Sequence, residues 1–292
     1  MVRQRGMDER EFLAERFEAH RGRLRAVAYR MLGSVADAED AVQEAWLRLA
    51  RVDAAEVANL GGWLTTVVGR VCLDVLKHRR AVREEPLETH VPDPIVAEDP
   101  AEEAVLADSV GLALLVVLET LTPAERLAFV LHDMFGVPFE EIAPIVRRTP
   151  ANATQLASRA RRRVRGAARP DGDLPAQREV VDAFMAASRA GDFEALLAVL
   201  DPAVVLRVDF GPSGPSKLVR GAEDVAGQAL LYARGAAGAR HVVINGAAGI
   251  VPMVGGKARA VFSPTVRAGR IIEINILADP DRLANLNLPP LA

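Results

Sequence analysis

Apolar residues recur at helical spacing through residues 8–83 and again through 109–165, and beyond Asp171 the spacing changes to strand-like runs. Phe12, Phe17, Leu24, Ala28 and Met31 mark one face of an opening helix. DAEDAVQEAWLRL follows, with Ala41, Val42, Ala45, Trp46 and Leu49 as its buried stripe, and then GGWLTTVVGRVCLDVLKHRR. In the second block the pattern predicts helices over SVGLALLVVLETL, LTPAERLAFVLHDMF and FEEIAPIV, the last with Phe139, Ile142, Ile145 and Val146 on one face. A further helix opens with Thr149 as N-cap and Pro150 at its first position, and Ala153, Leu156, Ala157, Ala160 and Val164 form its narrow apolar face. After Asp171 two helical stretches lead into VVLRVDF, HVVINGAAGIV, KARAVFSPTV and RIIEINILA, which read as strands.

Two stretches break the periodicity. REEPLETHVPDPIVAEDP is rich in proline and acid, and ARPDGDLP is a second polar, proline-containing segment. They divide the chain into an all-α block (8–83), a linker (84–108), a second all-α block (109–168) and an α+β domain (174–292).

Charge sharpens this division. The net charge is −3, which does not suit a nucleic-acid binder, but the segments differ. Glu84 to Asp108 holds nine acidic residues and no lysine or arginine, whereas Ser109 to Pro170 holds nine arginines against five acids. The acidic linker therefore masks basic segments on either side of it.

The helix from Pro150 has two unlike ends. Its polar side carries Thr149, Asn152, Thr154, Gln155, Ser158 and Arg159 first, then Arg161, Arg162, Arg163 and Arg165. Small polar groups suited to base edges precede cations suited to phosphates, and a short helix lies just upstream. That is the pattern of a helix-turn-helix, with a solvated arginine-rich surface helix as the alternative. Pro144 is expected to kink the first helix, and Arg147 or Arg148 has to take a left-handed turn position that glycine usually fills.

The remaining chemistry is limited. Asp37, Glu39, Asp40 and Glu44 are expected on the exposed side of the DAEDAVQEAW helix, a face suited to a basic protein partner. Asn59, Trp63, Arg70, Lys77, Arg79 and Arg80 belong to the next helix and its approach. The single cysteine, Cys72, excludes internal disulfides and a cysteine-based metal cluster. No apolar run approaches the length of a membrane span and MVRQRGMDER has no signal-peptide core, so a cytoplasmic protein with no metal, no cofactor and no membrane contact is expected.

The motifs DAEDAVQEAWLRL, GWL…R…LDVLKHRR and LTPAERLAFVLHDMFGVPFEEIA…QLASRARRRV, in this order and spacing, resemble regions 2 and 4 of the extracytoplasmic-function sigma factors of bacterial RNA polymerase. The resemblance covers about residues 8–168. It implies that the helix bearing Asp37, Glu39, Asp40 and Glu44 binds core polymerase. It further implies that the 52–61 loop, with Asn59, Trp63 and the cations to Arg80, opens the promoter −10 element. The helix from Thr149 would then enter the major groove of double-stranded DNA at the −35 element.

Ordinary members of that class end near Arg169. Here REVVDAFMAASRAGDFEALLAVLDPAVVLRVD resembles the start of a SnoaL-like, NTF2-related cone fold, as in the SigJ-like group. That resemblance implies an intramolecular contact between the appendix and the sigma domains, which regulates them without a separate anti-sigma protein. PLETHVPDP stands for the group's linker motif, and DPDRL (Asp279, Pro280, Asp281, Arg282, Leu283) for its tail motif. RVDFGPSGPSK replaces a glycine-rich loop. A rival reading is a cone-fold enzyme, with Asp209, Tyr232, His241 and Asn245 as pocket residues, and another is a helix-turn-helix repressor. Without a matched acid–base pair, no catalytic residue is assigned.

Overall fold

The protein, seen as a computed structural model, is described for residues 2–52, 57–82, 89–97, 111–166, 170–233, 238–286 and 288, with only the helical backbone given for residues 2–12. It forms two compact units that cut across the expected segments. One holds residues 1–85 and 121–165, and the other holds residues 86–120 and 166–292.

The first unit is all-α. Helix α1 (Val2–Leu32) packs against α2 (Val35–Leu49) and α3 (Leu60–Val82). Ser34 caps α2 by accepting a hydrogen bond from the Asp37 amide, and Asn59 does the same for α3 through the Gly62 amide at 3.0 Å. The stripe predicted for α2 is buried, except that Trp46 is half-exposed and leans on Phe17 with ring centroids 5.1 Å apart.

The later helices of this unit are α5 (Pro123–Phe129), which runs into a π-helical turn at Val130–Met134, then α6 (Phe139–Val146) and α7 (Pro150–Val164). They follow α4 (Leu112–Glu119), which belongs to the second unit. Thr122 and Glu125 form a reciprocal capping box at the start of α5. Pro144 sits on the exposed side of α6, and the helix continues past it to Val146. Arg147 takes the left-handed position (φ 55°, ψ 50°) in the turn to α7, as one of the two residues expected there.

These helices pack directly on the first three. Gly69 of α3 faces Leu127 and Ile145, where a Cβ would stand 3.3–3.4 Å from their methyl groups. Arg126 is buried and donates to the Arg30 carbonyl at 3.0 Å, while Arg23 donates to the Phe135 carbonyl at 2.8 Å. Two blocks separated by a linker in sequence thus share one core.

The second unit is an α+β cone. Helices α8 (Leu174–Ala190), α9 (Phe193–Val199) and α10 (Ala222–Ala233) pack on a curved sheet. Its strands are β1 (Val96–Ala97), β2 (Leu200–Asp209), β3 (Lys217–Arg220), β4 (Gly238–Ile244), β5 (Ala247–Val254), β6 (Lys257–Ala258), β7 (Val261–Arg267) and β8 (Arg270–Leu277). The order is β1-β4-β5-β7-β8-β2-β3, with β6 on β5, and only β2 and β8 run parallel. The short helix α11 (Pro280–Asn285) follows β8.

Strand β1 corrects the sequence expectation. It lies in the segment 84–108, expected to be an acidic, proline-containing linker without periodicity, and it pairs antiparallel with β4, Val96 opposite Ile244 and Ala97 opposite Val243. Two neighbouring prolines are tolerated because this strand lies at the sheet's edge. Residues 83–88 and 98–110 of the linker, and residues 53–56 of the expected 52–61 loop, lie outside the described residues.

Candidate functional site

The linker is held by the residue of the tail motif least expected to be buried in a fold. Asp279 caps α11 by accepting from the amides of Asp281 and Arg282, which fixes where the Arg282 side chain starts. The Arg282 guanidinium then donates to Asp93 (2.7 Å from Nε), to the Val91 carbonyl (2.6 Å) and to Asp209 (2.8 Å). Asp209 in turn accepts from the Val91 amide at 2.9 Å and lies 3.0 Å from His90 Nδ1. One arginine and one carboxylate therefore grip residues 90–93 from both sides.

A second hold lies further along. Asn245, at a left-handed turn position (φ 47°), pairs with Ile95 in both directions, each bond 3.0 Å. Val91, Pro92, Pro94 and Ala97 are buried, so the segment is docked by apolar contact as well as by charge.

Electrostatics agree with the geometry. Burial opposes ionisation of Asp209, but the hydrogen bonds from His90 and from the amides of Val91 and Gly211 outweigh it, and its carboxyl stays well below the usual range. Burial likewise works against the Arg282 charge, and Asp93 and Asp209 override it and raise its pKa further. Gly211 is obligatory here. Its φ is +55°, and a Cβ would collide with the Asp279 carboxylate. Gly211, the first of two glycines in RVDFGPSGPSK, donates to Asp209 as Ser216 does, which closes the loop under the clasp.

The expected pocket residues are not brought together for catalysis. Asp209 and Asn245 hold the linker, His241 is exposed beside Asp182 at 3.1 Å, and Tyr232 accepts from Lys217 at 2.8 Å. Sequence reasoning did not single out His90, Asp93 or Asn245 as linker contacts, although the first two lie in the PLETHVPDP motif it quoted. Pro86, Leu87 and Glu88 of that motif are outside the described residues.

In the first unit the acidic face divides in two. Asp40 is exposed, and Glu44 is half-exposed and paired, among the described residues, with its own helix's Arg48 at 2.8 Å. Glu39 pairs with Arg25 at 2.8 Å and Arg21 at 3.4 Å. Asp37 is bound by Arg79, which also donates to the Leu32 carbonyl at 2.9 Å. Of the four acids expected on one exposed side, Asp40 is exposed and Asp37, Glu39 and Glu44 are half-exposed, with Asp37 tying α2 to α3. Arg79, expected toward DNA, has its guanidinium occupied by the same tie. Asn59, Arg70, Lys77 and Arg80 are exposed and Trp63 is half-buried.

On α7, Asn152, Thr154, Gln155, Ser158, Arg159, Arg162 and Arg163 are all exposed. Thr149 is exposed as well, but its hydroxyl accepts from the Asn152 amide at 3.3 Å as the cap. Three of the cations also meet acids of the same helical bundle. Arg159 and Arg163 flank the buried Glu125 at 3.7 and 3.8 Å, and Arg161 reaches Asp133 at 2.5 Å. Arg162 has no such partner among the described residues.

Two family models match the chain, Sigma-70 region 2 over residues 16–82 and Sigma-70 region 4 over residues 111–164. The chain is 41% identical to the ECF RNA polymerase sigma factor SigJ of Mycobacterium tuberculosis, with 91% of each chain covered. It is 36% identical to that organism's probable ECF RNA polymerase sigma factor SigI, covering 95% of this chain and 97% of the relative. The crystal structure of the M. tuberculosis extracytoplasmic function sigma factor SigJ superposes with a TM-score of 0.76 at 37% identity, covering 94% of this chain and all of that one.

Proposed function

The chain belongs to the extracytoplasmic-function RNA polymerase sigma factors, and from that premise we propose that its C-terminal cone domain controls initiation by gripping the linker between regions 2 and 4. Region 2 and region 4 are the parts through which a sigma factor meets core RNA polymerase and promoter DNA. In this chain the covalent path between them passes along the edge of the cone domain's sheet.

The observation that carries this reading is Arg282, joined to Asp93 and Val91 on the linker and to Asp209 on the sheet. Elements named for positions −10 and −35 lie about 25 base pairs apart, or about 85 Å at roughly 3.4 Å per base pair. Regions 2 and 4, sharing one core through Gly69, Leu127 and Ile145, cannot span that distance together. Separating them requires the connecting chain to lengthen. It must either carry the cone domain along with residues 90–97 still docked, or undock them and peel β1 from β4.

The same reading assigns the exposed groups. Asp40 and Glu44 of α2 meet core polymerase, with Asp37 and Glu39 fixing that helix. Asn59, Trp63, Arg70, Lys77 and Arg80 serve the −10 element. Asn152, Thr154, Gln155 and Ser158 read −35 bases, and Arg159, Arg161, Arg162 and Arg163 serve phosphates. Control by the cone domain takes the place of a separate anti-sigma protein and operates in the cytoplasm. The cone domain is not an enzyme on this account, because its buried Asp209 is committed to the linker and its buried Asp279 to the cap of α11.

The test is transcription by reconstituted holoenzyme. Deleting from Asp281, which removes Arg282, should change output from a cognate promoter while core binding persists. Unchanged output from that truncation and from removal of everything after Pro170 would contradict the reading.

A further inference from the structure

Between the sheet and the helices packed over it, the cone domain holds a partly open cavity of about 490 Å³. That volume is in the range of sites that bury a small organic molecule. Its walls follow from the two periodicities of the chain. Alternation in the paired strands β2 and β8 sets Leu206 beside Ile274 and Val208 beside Ile276, all four facing the cavity. Along α10, Val225, Gln228, Ala229 and Tyr232 face it at spacings of three and four. The stacked rings of Phe184 and Phe262, with centroids 5.6 Å apart, complete an apolar interior.

Charge enters from one sign only. Arg189 and Arg259 line the cavity, and among the described residues no aspartate or glutamate does. Both arginines are exposed, and neither forms an ion pair among the described residues. An apolar chamber edged by two unpaired guanidinium groups favours an anionic head over a neutral or cationic one.

We infer that this cavity binds a small hydrophobic carboxylic acid, its apolar body among Phe184, Phe262 and Ile274 and its carboxylate at Arg189 and Arg259. The site also adjoins the linker clasp. Phe210 and Ala278 line it, and they are the chain neighbours of Asp209 and Asp279, with the Ala278 amide donating to the Asp209 carbonyl at 2.7 Å. A ligand pressing on Phe210 and Ala278 therefore bears on the carboxylate that holds His90, Val91 and Arg282. This coupling rests on the regulatory reading above; the binding site does not.

The experiment is calorimetric titration of the full chain with 2-naphthoate and with its neutral isostere 2-naphthamide. Saturable one-to-one binding is expected, with naphthoate about tenfold tighter, the scale of one charged hydrogen bond. The double variant Arg189→Gln/Arg259→Gln should remove that preference and leave naphthamide binding intact. Ala229→Trp, which fills the chamber, should abolish binding of both. The surface arginine variant decides the matter if Ala229→Trp fails to fold. No saturable binding, or equal affinity for the two probes in the wild-type chain, overturns the site. Hydrogen exchange at the Val91 and Ile95 amides then separates the two ideas. Naphthoate is expected to change their rates at least threefold. Binding without any change in exchange overturns the coupling and leaves the site. Absence of binding, with these amides protected in the wild type and freed in Arg282→Ala, overturns the site and leaves the regulatory reading.

Discussion

Arg282 and Asp93 stand 189 residues apart in the chain and share a hydrogen bond of 2.7 Å. One belongs to a six-residue helix after the last strand, the other to the segment joining the two sigma regions. Because both are largely shielded from water, the pair is more than a surface ion pair, and removing either partner leaves the other charged and partly buried.

Arg282→Ala and Asp93→Ala are each expected to weaken linker docking by about 2 kcal/mol, the scale of a lost charge-assisted hydrogen bond. Hydrogen exchange at the Val91 and Ile95 amides checks this, with rates rising roughly thirtyfold. Combining the two substitutions should cost less than the sum, since the Arg282–Asp93 bond is counted in both single variants. Strict additivity would show that the two side chains act apart.

Asp209 gives the clasp a defined response to acid. Its carboxyl lies below the ordinary value of 3.8 when the linker is docked. A depressed carboxylate contributes stability that is full above its ordinary pKa and is lost as pH falls through the lower, folded-state value. The melting temperatures of wild type and Asp209→Asn should therefore differ above pH 3.8 and converge as pH falls below it. A difference that grows as pH falls below 3.8 would contradict this assignment.

The acids of α2 should separate by role. Asp40→Lys combined with Glu44→Lys is expected to abolish assembly with core polymerase while leaving the melting temperature nearly unchanged, since neither holds the fold together. Asp37→Ala should lower the melting temperature instead, by breaking the tie from Arg79. Pull-down with core polymerase and calorimetry distinguish them, and normal assembly by the double variant would rule the face out.

On α7, Gln155→Ala should change which −35 bases are preferred, at about 1–3 kcal/mol per lost base contact. Arg162→Ala should weaken binding on every promoter alike and flatten the salt dependence by about one unit of slope. Binding of holoenzyme across a promoter library at several salt concentrations reads both. An unchanged salt slope for Arg162→Ala would mark it as a solvated surface residue.

The sequence made the elements legible and left their partnerships hidden. Periodicity placed α2, α3, α6 and α7 closely, because each carries an apolar stripe, and α2, α3 and α7 open on side-chain caps at Ser34, Asn59 and Thr149. It also anticipated the left-handed residue at Arg147, from the absence of glycine in that turn. It missed β1, because a two-residue strand flanked by proline has no period to read, and its pairing partners, Ile244 and Val243, lie far along the chain on β4. For the same reason Arg79 looked like a DNA contact: spacing shows a cation near a helix end, but only the fold brings Asp37 beside it.

The most direct measurement is the distance between regions 2 and 4, read by electron–electron resonance between spin labels on Asp74→Cys and Glu140→Cys. Both positions are exposed, and the native Cys72 thiol is buried and pushed up to about 12, so it resists labelling. The free chain should give one short distance, which lengthens by tens of ångströms in the complex with core polymerase and promoter DNA. Arg282→Ala should reach the long distance at a lower polymerase concentration than the wild type. A short distance that persists in the promoter complex, or identical titrations for wild type and Arg282→Ala, would contradict control through the clasped linker.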